Sequence, residues 1–191
     1  MAETTDKPQR ADARRNRERL MKAAGELFAE QGTDVSLEAI AARAGVGIGT
    51  LYRNFPSRDT LVEAAYRSEV AHLCDAASEL LGEHPPDVAL AEWMDRFVSY
   101  AAAKRGMSGA LQSLAAKSAL YSDTRAQITG AIGTLLAAGV EAGTLRSDVE
   151  PGDVLRAMGA IWALGDGEEW RRQAETLIRL IVDGLRHGAG Q

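Results

Sequence analysis

Between residues 47 and 58 the chain offers a compact set of groups suited to the backbone and base edges of a nucleic-acid duplex. Thr50 and Tyr52 carry hydroxyls that can donate to a phosphate oxygen, and the tyrosine ring can pack while its OH reaches outward. Arg53 suits a phosphate or a guanine edge, and Asn54 a phosphate or an adenine edge. Gly47, Ile48 and Gly49, short or apolar, stand beside them and leave room for van der Waals contact. Arg58 stands where it could clamp a duplex backbone, and Ser36 at an expected helix N-terminus, a favourable place for an oxyanion.

The flanking sequence is built to position these groups. Ser36 is a good N-cap, and Leu37, Ile40 and Ala41 supply one inner face behind it. Gly45 marks a tight turn where a positive φ is expected. Leu51 and Phe55 then point inward on a second short helix that stops at Pro56. Ala41, Ala44, Val46 and Leu51 are small or aliphatic, as two closely crossing helices require. Two such helices across residues 36–55 form a helix-turn-helix, in which the first braces the second in the major groove. Upstream, Leu20, Ala23, Ala24, Leu27 and Phe28 make one helical stripe from about Ala13, stopped by Gly32. Residues 1–12, polar and containing Pro8, are expected to be a disordered basic arm.

Beyond Ser57 a long helix is expected over 58–81, a break at 82–86, and further helices near 88–104, 108–119, 123–142, 151–164 and 168–187. No convincing strand alternation is present. The expected fold class is all-α, with about nine helices in all.

Composition sets further bounds. The 191 residues are 46% hydrophobic and 26% charged, ordinary for a globular chain. No apolar run approaches the roughly 20 residues of a membrane helix, and no export signal is evident, so no membrane association and a cytoplasmic location are expected. Cys74 is the sole cysteine, which excludes an intrachain disulfide. The net charge of −5 at first argues against a nucleic-acid partner. Its distribution does not: residues 1–59 carry ten basic and nine acidic groups, whereas the remainder carries twelve and eighteen. Between Lys7 and Lys22 there are seven basic and two acidic residues, which suits a protein that meets phosphates at one end or simply presents a solvated face there.

The run from Ala44 to Arg58, with Ala23 to Gly32 upstream and Leu61 to Ala64 downstream, closely resembles the DNA-binding region of the TetR family of bacterial transcriptional regulators. The resemblance covers roughly residues 13–73. It implies three DNA-binding helices, a fourth linking them to the body, and C-terminal helices (74–191) that hold a small-molecule effector and form a homodimer. By position, Thr50, Tyr52 and Arg58 match phosphate contacts of that family, and Ile48, Gly49 and Arg53 fall at or beside base-reading positions. The implied function is a ligand-responsive repressor on a pseudo-palindromic operator, with DNA and a largely apolar effector as partners.

In the C-terminal part, Trp93, Phe97 and Tyr100 lie at i, i+4, i+7. Core packing and one wall of an apolar pocket both fit that spacing. Gln112, Tyr121 and Trp162 are expected to join such a pocket, with Met94 and Met107. Val154, Met158 and Ile161, together with Leu177, Ile178, Ile181, Val182 and Leu185, form the stripes expected at the dimer interface. The segment Gly45 to Thr50 is not a phosphate-cradling glycine loop, because a helix rather than a strand precedes it. His72, His84 and His187 are dispersed, so no metal or other cofactor is expected, and no catalytic constellation stands out. Two other classes stay open: a ligand-binding or adaptor protein that has lost operator binding, and a small all-α enzyme using the body pocket.

Overall fold

A computed structural model of the chain describes residues 6–114, 119–165, 167 and 169–188. Among these residues it is all-α: α1 (Asp6–Gln31), α2 (Leu37–Arg43), α3 (Ile48–Asn54), α4 (Arg58–Glu83), α5 (Pro86–Gly106), α6 (Ser108–Leu114), α7 (Ala119–Glu141), α8 (Pro151–Met158) and α9 (Trp170–Arg186). A 3-10 segment, Gly159–Ala163, follows α8. No described helix is long and apolar enough to cross a membrane. The chain divides into two compact units, one of Met1–Glu69 with Ala103–Lys117 and one of Val70–Ala102 with Ser118–Gln191.

The first unit is a three-helix core in which α1, α2 and α3 all touch one another. The α1 stripe (Leu20, Ala23, Ala24, Leu27, Phe28) is buried, as are Ile40, Leu51 and Phe55 of the helix-turn-helix region and Leu61, Val62 and Tyr66 of α4. Each large side chain here contributes on the order of 1.5–3 kcal/mol through burial. Arg43 anchors α2 to α1 from outside, reaching Glu30 at 3.2 Å and Glu26 at 3.6 Å.

Two features of this unit depart from the sequence reading. The first helix begins at Asp6 rather than near Ala13, so residues 6–12 of the expected disordered arm are helical, and residues 1–5 lie outside the described part. The unit also recruits the end of α5 and the start of α6, through buried Ala103, Met107 and Leu111. No boundary at residue 73 would group these residues so, because chain order does not reveal which distant segment returns to a core. At this corner Gly106 lies against the backbone of α1, and a β-carbon placed there would fall on the Phe28 carbonyl.

In the second unit, α8 packs against both α7 and α9. Trp93, Met94, Phe97 and Val98 of α5 are buried there, as are Leu73, Ala77 and Leu80 of α4. The Trp93 Nε1–H donates to the Leu73 carbonyl at 2.7 Å, which satisfies the one polar group of that side chain. Arg186 closes the far end, donating to the Asp87 carboxylate at 3.1 Å and to its carbonyl at 3.2 Å. Helix boundaries shift as well. The expected helix over 151–164 is α-helical only to Met158, and the seventh helix starts at Ala119 rather than 123. The expected ends at 115–118 and at 168 lie outside the described residues.

The Gly106 contact can be tested directly. Gly106→Ala should destabilise the chain by about 1–3 kcal/mol in urea unfolding, since the obstacle is backbone and cannot swing away. Gly109→Ala, whose added methyl meets nothing within 4 Å, should leave the midpoint unchanged or raise it.

Candidate nucleic-acid interface

The turn between α2 and α3 is set by backbone chemistry. The Ser36 Oγ accepts from the Ala39 N–H at 3.1 Å and so caps α2. Gly45 adopts φ +66°, and the amides of Gly45 and Val46 donate back to the carbonyls of Ala42 and Ala41, each at 3.0 Å. This pairing satisfies two orphan carbonyls at the α2 C-terminus and aims the chain into α3. Ser36 thus caps α2, and the outer face of α3 follows beyond the turn.

On that face Tyr52 is 49% exposed, Arg53, Gly47 and Gly49 are exposed, and Ile48 and Thr50 are half-buried. The Arg53 guanidinium donates to the Thr50 Oγ1 at 2.9 Å. Thr50 then accepts from Arg53 and keeps its own hydroxyl proton free to donate elsewhere. Gly47 and Gly49 have no internal need to be glycine, because a β-carbon at either would meet nothing within 4 Å. Their bareness acts outward: it lets another molecule approach the α3 backbone beside Ile48.

Asn54 and Arg58 are less available than the sequence suggests. The Asn54 Nδ2 donates to the Thr50 carbonyl at 2.8 Å, within its own helix. Arg58 donates to the Thr33 carbonyl and, at 2.7 Å, to the Val35 carbonyl. It thereby stitches the α1–α2 loop to the start of α4, an internal role beside the DNA clamp expected of it. The reason is local: the loop carbonyls at 33 and 35 have no helical partner, and a guanidinium fork at the head of α4 satisfies both.

Arg17 is a functional contributor that residue spacing did not reveal. Its guanidinium donates to the Asn54 carbonyl at 3.0 Å and lies 4.4 Å from the centre of the Phe55 ring. It braces the exit of α3 from 37 residues away, and no local pattern links residues so separated.

The residues expected at the effector pocket divide. Trp93, Phe97 and Tyr100 are buried in the second unit, with ring centroids 6.2 Å apart for the first pair and 5.5 Å for the second. Tyr121 is half-buried in that unit. Gln112 is exposed and belongs to the first unit, and Trp162 is 37% exposed, so neither sits in an interior wall. An open groove of about 500 Å³ between α5 and α9 carries Asp95, Arg171, Glu175 and Arg179, and none of the residues expected at the effector pocket lines it.

The expected dimer residues also divide. Val154, Met158, Ile161, Ile178, Val182 and Leu185 are buried within the chain itself, where α8 and α9 close the second unit. Of the others, Leu177 and Ile181 are half-buried, beside Leu180, which is 63% exposed. A helix has two sides, and the larger stripe of α9 faces its own core.

The geometry defines a class: a helix-turn-helix on a three-helix support, with a separate all-α unit. Comparison with known proteins agrees at both ends. Residues 20–65 match the model for bacterial regulatory proteins of the tetR family, and residues 85–187 match the C-terminal domain of SbtR-like transcriptional regulators. A TetR transcriptional regulator from Streptomyces coelicolor is 46% identical, with a TM-score of 0.83 over 91% of this chain and 99% of that one. A TetR regulatory protein from Mycobacterium vanbaalenii is 38% identical, with a TM-score of 0.73 over 94% and 99%. A helix-turn-helix transcriptional regulator of Staphylococcus aureus is 43% identical over 53 residues, 27% of this chain and 29% of that protein's length. The chain belongs to the TetR family of transcriptional regulators.

Two outcomes follow from the geometry at α3. Arg58→Ala should lower stability by about 1–3 kcal/mol in urea unfolding, because it strands two carbonyls, and Arg58→Lys should not restore it. Gly49→Ala should leave the melting temperature unchanged or higher and weaken DNA binding by about ten-fold, equivalent to roughly 1.4 kcal/mol. Unchanged DNA affinity in a gel shift would show that the open surface at Gly49 is not approached.

Proposed function

We propose that the chain is a ligand-responsive repressor that binds a pseudo-palindromic operator as a homodimer. The observation that carries the DNA reading is the outward set on α3, where Tyr52, Arg53 and Thr50 surround an uncovered backbone at Gly47–Gly49. Tyr52 and Thr50 hold phosphates, and Ile48, Gly49 and Arg53 face bases. The operator is specified by few groups, so shape and apolar contact carry much of the preference.

A second copy docks on the outer face of α9. Leu177, Leu180 and Ile181 stand at i, i+3, i+4, and Leu180 is more exposed than a large aliphatic side chain ordinarily is in a closed unit. The buried residues of α8 and α9 hold that face rigid. The effector is a small, largely apolar molecule received by the aromatic side of α5 at Trp93, Phe97 and Tyr100, with Tyr121. It acts by binding one spacing of the paired recognition helices better than the other, since equal affinity shifts nothing.

Selection of duplexes from a random pool by the full chain tests the reading. Recovered sequences should share two related half-sites about one helical turn or more apart. In sedimentation at micromolar concentration the parent should be a dimer and Leu180→Glu a monomer with weakened binding to the selected duplex. A monomeric parent removes the dimer proposal, and a pool without enrichment removes operator binding.

A further inference from the structure

We propose that the N-terminal half of α1 is a second DNA-contacting element, one that grips phosphates flanking the bases read from α3. The proposal rests on the operator-binding reading above. Residues 6–19 hold six basic and three acidic side chains. From Ala11 to Arg19 no residue is buried, and Leu20 is the first that is. Helices in proteins draw most of their stability from a face packed on something else; from Ala11 to Arg19 the contact with the rest of the unit comes through Arg17 and Arg19, and Arg14 and Arg15 point away into solvent. Its ion pairs, Arg14 with Glu18 and Arg15 with Asp12, lie in solvent, where such pairs contribute little. They also leave the arginines accessible, with side chains 78% exposed at Arg14 and 63% at Arg15. The hollow beside Arg15 is walled by α1 residues alone, including Asp12, Asn16 and Arg19.

The position of this stretch gives the charge a target. Arg17 bonds to the last residue of α3, and an Arg19 guanidinium nitrogen lies 3.7 Å from where a β-carbon on Gly45 would sit. Helix α1 therefore passes the helix-turn-helix at both the turn before α3 and the exit after it. From Arg17 it continues to Asp6, a further length of about 16 Å at 1.5 Å per residue. A duplex seated on α3 brings its backbone, with one charge per roughly 1.7 Å of axis, alongside such an extension. The rest of the chain works against that approach, since residues 60–191 carry twelve basic and eighteen acidic groups. Exposed arginines without a packing role, beside the DNA-facing helix, offset that repulsion. Guanidinium groups on a solvated helix face reach phosphates rather than base edges, so the element sets affinity and register and adds no sequence preference.

The test uses the full chain and a duplex it selects from a random pool, prepared as the selected core alone and with about one helical turn of arbitrary sequence added on each side. The parent should bind the flanked duplex more tightly than the core. The double variant Arg14→Gln/Arg15→Gln should lose that gain, on the order of ten-fold at 0.1 M salt, and its plot of log affinity against log salt should be shallower by about two per protomer. Its half-site preference should match the parent's, its melting curve should be unchanged, and Arg14→Lys/Arg15→Lys should keep most of the gain. An unaltered salt slope and flank gain in the glutamine variant would overturn the proposal while leaving operator binding by α3 intact. Failure of the parent to enrich any duplex would instead overturn the operator reading, and this proposal with it.

Discussion

The seven residues of α3 cannot hold a helix by themselves, and the DNA-facing end of the molecule depends on what supports them. Support comes from three directions. Leu51 and Phe55 are buried beneath the helix, the Gly45 turn fixes its entry, and Arg17 holds its exit through the Asn54 carbonyl and the Phe55 ring. Each contribution is modest alone. Together they fix the axis and the rotation of α3, and rotation decides that Tyr52, Arg53 and the bare backbone at Gly47–Gly49 face outward.

Polar residues near such a helix have competing demands, and the structure settles them by geometry. Arg58 and Ser36 have the chemistry of phosphate ligands, but each stands next to a backbone group that folding has stripped of its partner. An unpaired carbonyl or amide is costly, so those side chains turn to the backbone: Arg58, half-buried, to two loop carbonyls, and Ser36, still exposed, to a free amide in the first turn of α2. Thr50 and Arg53 have no such neighbour and pair with one another on the surface. That contact orients both without using the hydroxyl proton of Thr50. The charge of the chain divides on similar terms: acidic residues dominate the body, and the arginines of early α1 remain in solvent.

The second unit shows how far an apolar stripe can be read in two ways. The spacing on α8 and α9 was expected at a contact with another copy, and most of those residues are buried within the chain itself. The remaining outward groups on α9 are few, Leu180 foremost. The aromatic residues of α5 are likewise packed on each other, Trp93 against Phe97 and Phe97 against Tyr100. A charged groove between α5 and α9 had no signal in the sequence, since its residues come from two helices about 80 positions apart, each with an ordinary solvated face.

The helical class, the helix-turn-helix with its cap at Ser36 and positive-φ turn at Gly45, and the family are legible in residue order alone. These are local matters, governed by periodicity, capping and the conformational freedom of one glycine. Even the outward set at Thr50, Tyr52 and Arg53 follows from helical spacing once Leu51 and Phe55 are known to face inward. Three-dimensional packing is needed to see that Arg58 ties a loop to α4, that Arg17 braces α3, that the α5–α6 corner at Gly106 belongs with the first unit, and that α9 shows Leu180 rather than Val182 to the outside. Each of these turns on a partner far away in the chain. A side chain's role at such distances is set by which unpaired group or open surface folding brings to it, and no interval along the sequence encodes that.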